Sequence, residues 1–227
     1  MEQLVSTKTG QECLQRLLNV WFDFDLALSK VPVIKRLEQY KLSQQDYQKL
    51  LLNLRQQVIE GSRWITRCAS SFDRDHSEIR SVVIHHAKDE HRDYLMLEKD
   101  YVTAGGDIID IQSAPKNIGS EALHGYLMYR ASLPNPTELV GAMWIIEGLG
   151  NKMAGKWASL VDEQFGAEPS MAMFMKYHGE NDEHHINELY ELIDKIAINQ
   201  DTVDAIVKNA QVVARLYALQ LEEVDHV

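Results

Sequence analysis

The chain has 227 residues, 45% of them hydrophobic and 25% charged, with 23 Lys+Arg against 34 Asp+Glu and a formal net charge of -11. That acidic balance excludes sequence-independent binding to nucleic acid or to an anionic membrane surface, both of which need clustered Lys and Arg to neutralise phosphates. No apolar run approaches the roughly 20 residues of a bilayer span, and no charged-then-apolar leader opens the sequence, so a cytoplasmic protein is expected.

No Gly/Ser-rich or Pro-rich linker divides residues 1–227, and one domain is expected over that range. Cys13 and Cys68 are expected to remain thiols.

Five prolines and twelve glycines fall mostly at the ends of long segments. Within those segments apolar residues recur at three- and four-residue spacing, which predicts an all-α fold. In chain order the helices are expected near 9–29, 32–41, 44–72, 76–103, 119–131, 136–164, 170–197 and 202–225. Ser43 with Asp46, Asp75 with Glu78, and Asp201 with Asp204 resemble helix starts, where a side-chain oxygen meets free N–H groups. Asn135-Pro136 marks another start. Gly105-Gly106 and Pro115 make residues 104–119 the longest expected irregular connection.

The fourth helix carries an anomaly. Its apolar stripe runs Ile79, Val82 and Val83, is interrupted by His86, Glu90 and Asp93, and resumes at Leu97 and Tyr101. At about 100° per residue, positions i, i+4 and i+7 share one face, so ligand-type side chains stand where core is expected. His178, Asp182 and His185 repeat this interruption between Met171/Phe174 and Leu189/Ile193. Glu147, in GAMWIIEGLG, is a lone carboxylate aligned with Val140, Met143, Gly150 and Ala154.

A single histidine on an apolar face is ordinarily a hydrogen-bonded core residue, and an isolated acid ordinarily has an ion-pair partner. Here the three stripes hold no Lys or Arg. Desolvating an unpaired carboxylate costs several kcal/mol, a large share of a domain's ~5–15 kcal/mol net stability. A shared divalent metal or metal pair would compensate, and nitrogen and oxygen donors without thiolate suit Fe, Mn or Zn. His76, His85, His91, His124, His184 and His226 are read as surface or hydrogen-bonded residues.

YHGENDEHHINELYELID, with His178-x3-Asp182-x2-His185, and the preceding WIIEGLG with Glu147 resemble the heme-oxygenase-like diiron oxidases. These are relatives of the thiaminase II group and of the chlamydial protein associating with death domains. VPVIKRLEQYKLSQQDYQKLLLNL is similar to their second and third helices, and KDEHRDYLMLEKDYVTAGG to their first metal-bearing helix. The resemblance implies a heme-oxygenase-like bundle of about seven to eight helices around a buried pocket. It also implies a site of Glu147, His178, Asp182 and His185 with a Glu and a His from the earlier helix. This chain departs there: Glu90 aligns with the Glu, Asp93 takes the His position, and His86 supplies an imidazole one turn upstream.

Heme oxygenases take an axial histidine near the N-terminus, and VSTKTGQECLQRLLNVWFDFD has none. Thiaminase II uses a cysteine just before the central Glu, and GAMWIIEG has none. The expected function is therefore an oxidoreductase with two iron ions, or an Fe/Mn pair, and dioxygen as co-substrate, acting on a small organic molecule. Its catalytic residues would be Glu147, His178, Asp182 and His185. A metal-free thiaminase II-like pocket protein and a non-enzymatic helical binding protein are the alternatives. A homodimer is expected by analogy with bundles that associate through long helices.

Overall fold

A computed structural model of the chain describes residues 4–226, apart from the side chains of residues 182 and 183. The architecture is all-α. In order come α1 (Lys8–Leu28), α2 (Pro32–Glu38), α3 (Gln44–Ser71), α4 (Ser77–Asp89), α5 (Tyr94–Thr103) and α6 (Ile108–Ser113). They are followed by α7 (Ile118–Ala131), α8 (Val140–Leu149), α9 (Gly155–Phe165), α10 (Met173–Ile196) and α11 (Gln200–Glu222).

The first long helix starts where Thr7 Oγ1 accepts from Gly10 N at 3.1 Å, and α3 starts at a reciprocal capping box of Ser43 and Asp46. Each cap satisfies N–H groups that the helix itself leaves without partners. Two expected caps are shifted. Asp73 Oδ1, not Asp75, accepts from the backbone ahead of α4, taking Asp75 N at 3.0 Å and His76 N at 3.3 Å. Asn199 and Thr202 form the capping box of α11, two residues before the Asp201 expected to do so. Asn135-Pro136 opens a short 3-10 turn, Thr137–Leu139, from which α8 continues.

Two expected long helices are interrupted at the residues of interest. The helix expected over 76–103 breaks into α4 and α5 around a 3-10 turn, Glu90–Arg92. The one expected over 136–164 contains a π-turn, Gly150–Ala154, that begins three residues after Glu147. Such irregular turns inside a helix re-aim side chains and recur at functional positions. The expected connection over 104–119 holds α6, capped by Asp107 Oδ1 on Ile109 N at 2.8 Å and anchored by buried Ile111.

Around the centre, α3 packs against α4, α5 and α7, α10 against α8 and α9, and α11 against α1, α7 and α8. Two features set how α10 lies. A Cβ on Gly179 would come within 2.8 Å of Gly155 N and 2.9 Å of its Cα, so α9 and α10 cross at a distance that only glycine permits. The N-terminus of α10 has no cap from its own flank. Instead Asp100 of α5, fully buried, accepts from Met173 N at 3.0 Å and Phe174 N at 2.9 Å. With Asp93 beside His178, these contacts run α5 antiparallel to α10.

Candidate metal centre

Four elements deliver the site: α4 brings His86, the 3-10 turn and the residue after it bring Glu90 and Asp93, α8 brings Glu147, and α10 brings His178 and His185. Glu147 is 4% exposed, and His86, Asp93, His178 and His185 are also buried, while Glu90 is half-buried. Asp182 lies outside the described side chains.

Glu147 divides its oxygens between two helices. His86 Nε2 lies 3.0 Å from Oε1, and His185 Nδ1 lies 3.1 Å from Oε2. The two imidazoles stack with centroids 4.7 Å apart and planes inclined by 23°. Glu90 Oε1 is 3.8 Å from His185 Nδ1, and Asp93 Oδ2 is 3.4 Å from His178 Nε2.

These atoms form two sets. One donor atom each from His86, Glu90, Glu147 and His185 lie within 4.8 Å of one another, as do donors from Glu90, Asp93 and His178. Glu90 belongs to both. Ligand atoms about 2.1 Å from a divalent ion and at right angles to each other are about 3.0 Å apart, which is the separation between Glu147 and its histidines. Nitrogen and carboxylate donors in two sets joined by one carboxylate therefore fit a pair of hard or borderline divalent ions.

The counter-charges support this fit. Elsewhere in the interior, Glu98 is held by Arg55 Nη2 at 2.7 Å and Glu60 by Lys116 at 2.9 Å and Arg63 at 2.7 Å, while buried Asp100 is held by two backbone N–H groups. Glu90, Asp93 and Glu147 are reached by histidines alone among the described residues. Burial pushes the Glu90 carboxyl up to about 8, helped by the like charge of Glu147. Burial acts in the same direction on Glu147, but His86 and His185 overcome it and hold that group well below the usual carboxylate range. The His86 imidazole is disfavoured as a cation by burial, yet Glu147 raises it above its ordinary value.

A pocket opens onto this cluster. His86, Glu90, Glu147 and His178 form its polar end, and Trp64, Ile146, Trp157, Phe174, Met175 and Tyr217 are among its apolar and aromatic walls. No Lys or Arg lines it among the described residues. Trp64, Trp157 and Tyr217 had no signal in the sequence beyond helical periodicity, which marks them as core. Gln57 Oε1, 3.4 Å from the Tyr217 hydroxyl, places a second polar point in the wall.

With this geometry stand three solved structures of similar fold. A Shewanella denitrificans domain of unknown function with a heme oxygenase-like fold superposes with TM-score 0.81 at 20% identity, over 92% of this chain and 90% of that one. The chain has the heme-oxygenase-like fold. Two TenA homologues share it, from Pseudomonas syringae pv. tomato (TM-score 0.76, 15% identity, 95% and 93% covered) and P. horikoshii (0.75, 12%, 96% and 98%). No family model and no curated protein matches the sequence significantly. The heme-oxygenase-like fold hosts more than one chemistry, so function rests on the site.

Cys13 and Cys68 are buried free thiols, pushed up by burial to about 11 and about 12. Neither lines the pocket. No helix is long and apolar enough to cross a membrane among the described residues.

Proposed function

We propose that this chain is a metal-dependent oxidoreductase that activates dioxygen at a non-heme dinuclear iron, or Fe/Mn, centre and oxidises a small organic substrate. The observation that carries this reading is Glu90, common to two donor sets in a buried cluster whose carboxylates have no Lys or Arg partner among the described residues. His86, Glu147 and His185 would hold one ion, Asp93 and His178 the other, and Glu90 both. Asp182 completes the set expected from the sequence. When bound, the metal pair supplies the redox chemistry with dioxygen.

The chain's own residues do the rest. Before metal binds, Glu147 holds His86 and His185 in place by offering each a different oxygen, and Phe174 packs on His178 with centroids 4.3 Å apart. The apolar wall excludes water and seats an uncharged, largely apolar substrate beside the cluster, since no wall residue offers a counter-ion to an anionic one among those described. Gln57 and Tyr217 provide a polar contact for orientation.

The TenA likeness favours a second reading, a metal-free pocket acting on a small heterocycle. Against it, neither cysteine lines the pocket, so this chain offers no thiol nucleophile there. The two readings separate in one experiment. Glu147→Ala abolishes iron-dependent oxygen uptake while far-UV circular dichroism stays close to that of the natural chain. Unchanged uptake would sink the diiron reading.

A further inference from the structure

Directly outside the buried cluster, the same two helices carry a second set of donors. His184 and Glu188 are four residues apart on α10, with His184 Nε2 3.7 Å from Glu188 Oε1. Across from them on α4, His85 and Asp89 are also four residues apart, with His85 Nδ1 3.7 Å from Asp89 Oδ2. One donor atom from each of His85, His184 and Glu188 lies within 4.8 Å of the others. The His85 and His184 side chains are open to solvent.

Asp89 joins the two layers. The Oδ2 that faces His85 also lies 3.6 Å from His185 Nε2, while the other nitrogen of His185 faces Glu147 and Glu90 inside. The succession His85, Asp89, His185, Glu147 therefore runs from solvent to the centre in single contacts. Two ordinary surface ion pairs would account for each helix separately. They would not require His85 to converge on His184 and Glu188, nor one carboxylate oxygen to serve both an outer and an inner imidazole.

We propose that His85, His184 and Glu188 form a surface site for a borderline divalent transition metal, and that Asp89 passes ions from it to the buried cluster. Two imidazoles and a carboxylate suit Zn, Ni, Co or Fe as divalent ions. Water completes the coordination, so binding is weaker and exchange faster than inside. A surface stage gathers ions at the outer end of this succession, beside the buried donors. The surface site stands by itself, whereas the loading role rests on the reading of the buried cluster as a metal centre.

The surface site is tested with Ni(II) by equilibrium dialysis on the Glu90→Ala/Glu147→Ala chain, in which both buried donor sets have lost ligands. One equivalent remains bound. Loss of an outer-shell partner costs roughly 10–100-fold in metal affinity and loss of a ligand no less, so adding His85→Ala or His184→Ala weakens Ni(II) binding at least that far. His76→Ala, remote and paired with Asp73, changes nothing. Unchanged affinity in both variants, or an equal loss in His76→Ala, overturns the surface site.

Loading is tested by the rate of Co(II) uptake into the buried cluster of the otherwise natural chain, followed by absorption at sub-saturating metal. His85→Ala/His184→Ala reaches the same final occupancy several-fold more slowly, and Asp89→Asn also slows uptake while keeping the surface equivalent. Equal rates overturn the loading role. No Co(II) entering the interior of any variant also overturns it, and with it the buried centre, while leaving the Ni(II) result intact.

Discussion

His86 and His185, brought from α4 and α10, stack ring on ring at 4.7 Å, and each addresses a different oxygen of Glu147. Two imidazoles thus converge on one buried carboxylate. In the metal-free protein Glu147 is what raises His86 above its ordinary value, against the burial that lowers it. Replacing Glu147 by Ala leaves only burial and the neighbouring carboxylates and imidazole. The His86 resonance in a histidine NMR titration is expected to move to a lower pKa in that variant. An unmoved titration would show that Glu147 does not hold the imidazole.

Asp100 sits 73 residues before the helix that it caps. Asp100→Ala leaves two half-buried N–H groups at the start of α10 without their acceptor, and loss of such a cap costs about 1–2 kcal/mol. The same change loosens the α5 to α10 register that sets Asp93 beside His178. Denaturant unfolding should show the loss in stability, and metal affinity should fall along with it. Full stability in Asp100→Ala would mean that α10 is positioned by packing alone.

Metal uptake should depend on pH. Glu90 is pushed up to about 8 in the metal-free protein, so below that pH it carries a proton that a ligating carboxylate must lose. His86 is raised as well and must likewise be neutral to ligate. Affinity therefore rises as pH rises towards 8, by about tenfold per unit for each proton released. Isothermal calorimetry in buffers of different ionisation enthalpy counts those protons. Binding without proton release between about pH 6 and 8 would remove Glu90 and His86 from the ligand set.

The bundle was legible because most helices are long and their apolar faces periodic. The buried polar positions were legible too, since His86, Glu90 and Asp93 interrupt a stripe that Val83 and Leu97 bracket, and Glu147 stands alone in one. The break at residues 90–92 was not, because Glu90-His91-Arg92 consists of residues a helix accepts and tertiary packing decides the turn. The π-turn after Glu147 was hidden in the same way. The Asp100 cap was invisible because its partners lie on another helix, and Trp157 and Tyr217 read as ordinary core until the pocket was seen. Asp89 falls outside the interrupted stripe of its helix, and only its distances to His85 and His185 tie it to the site.

The most direct measurement is the amount of Fe(II) retained after anaerobic loading and desalting by the chain carrying His85→Ala and His184→Ala, so that the surface donors contribute nothing. The account predicts about two equivalents per chain, matching two donor sets joined at Glu90. Retention of no iron would contradict it.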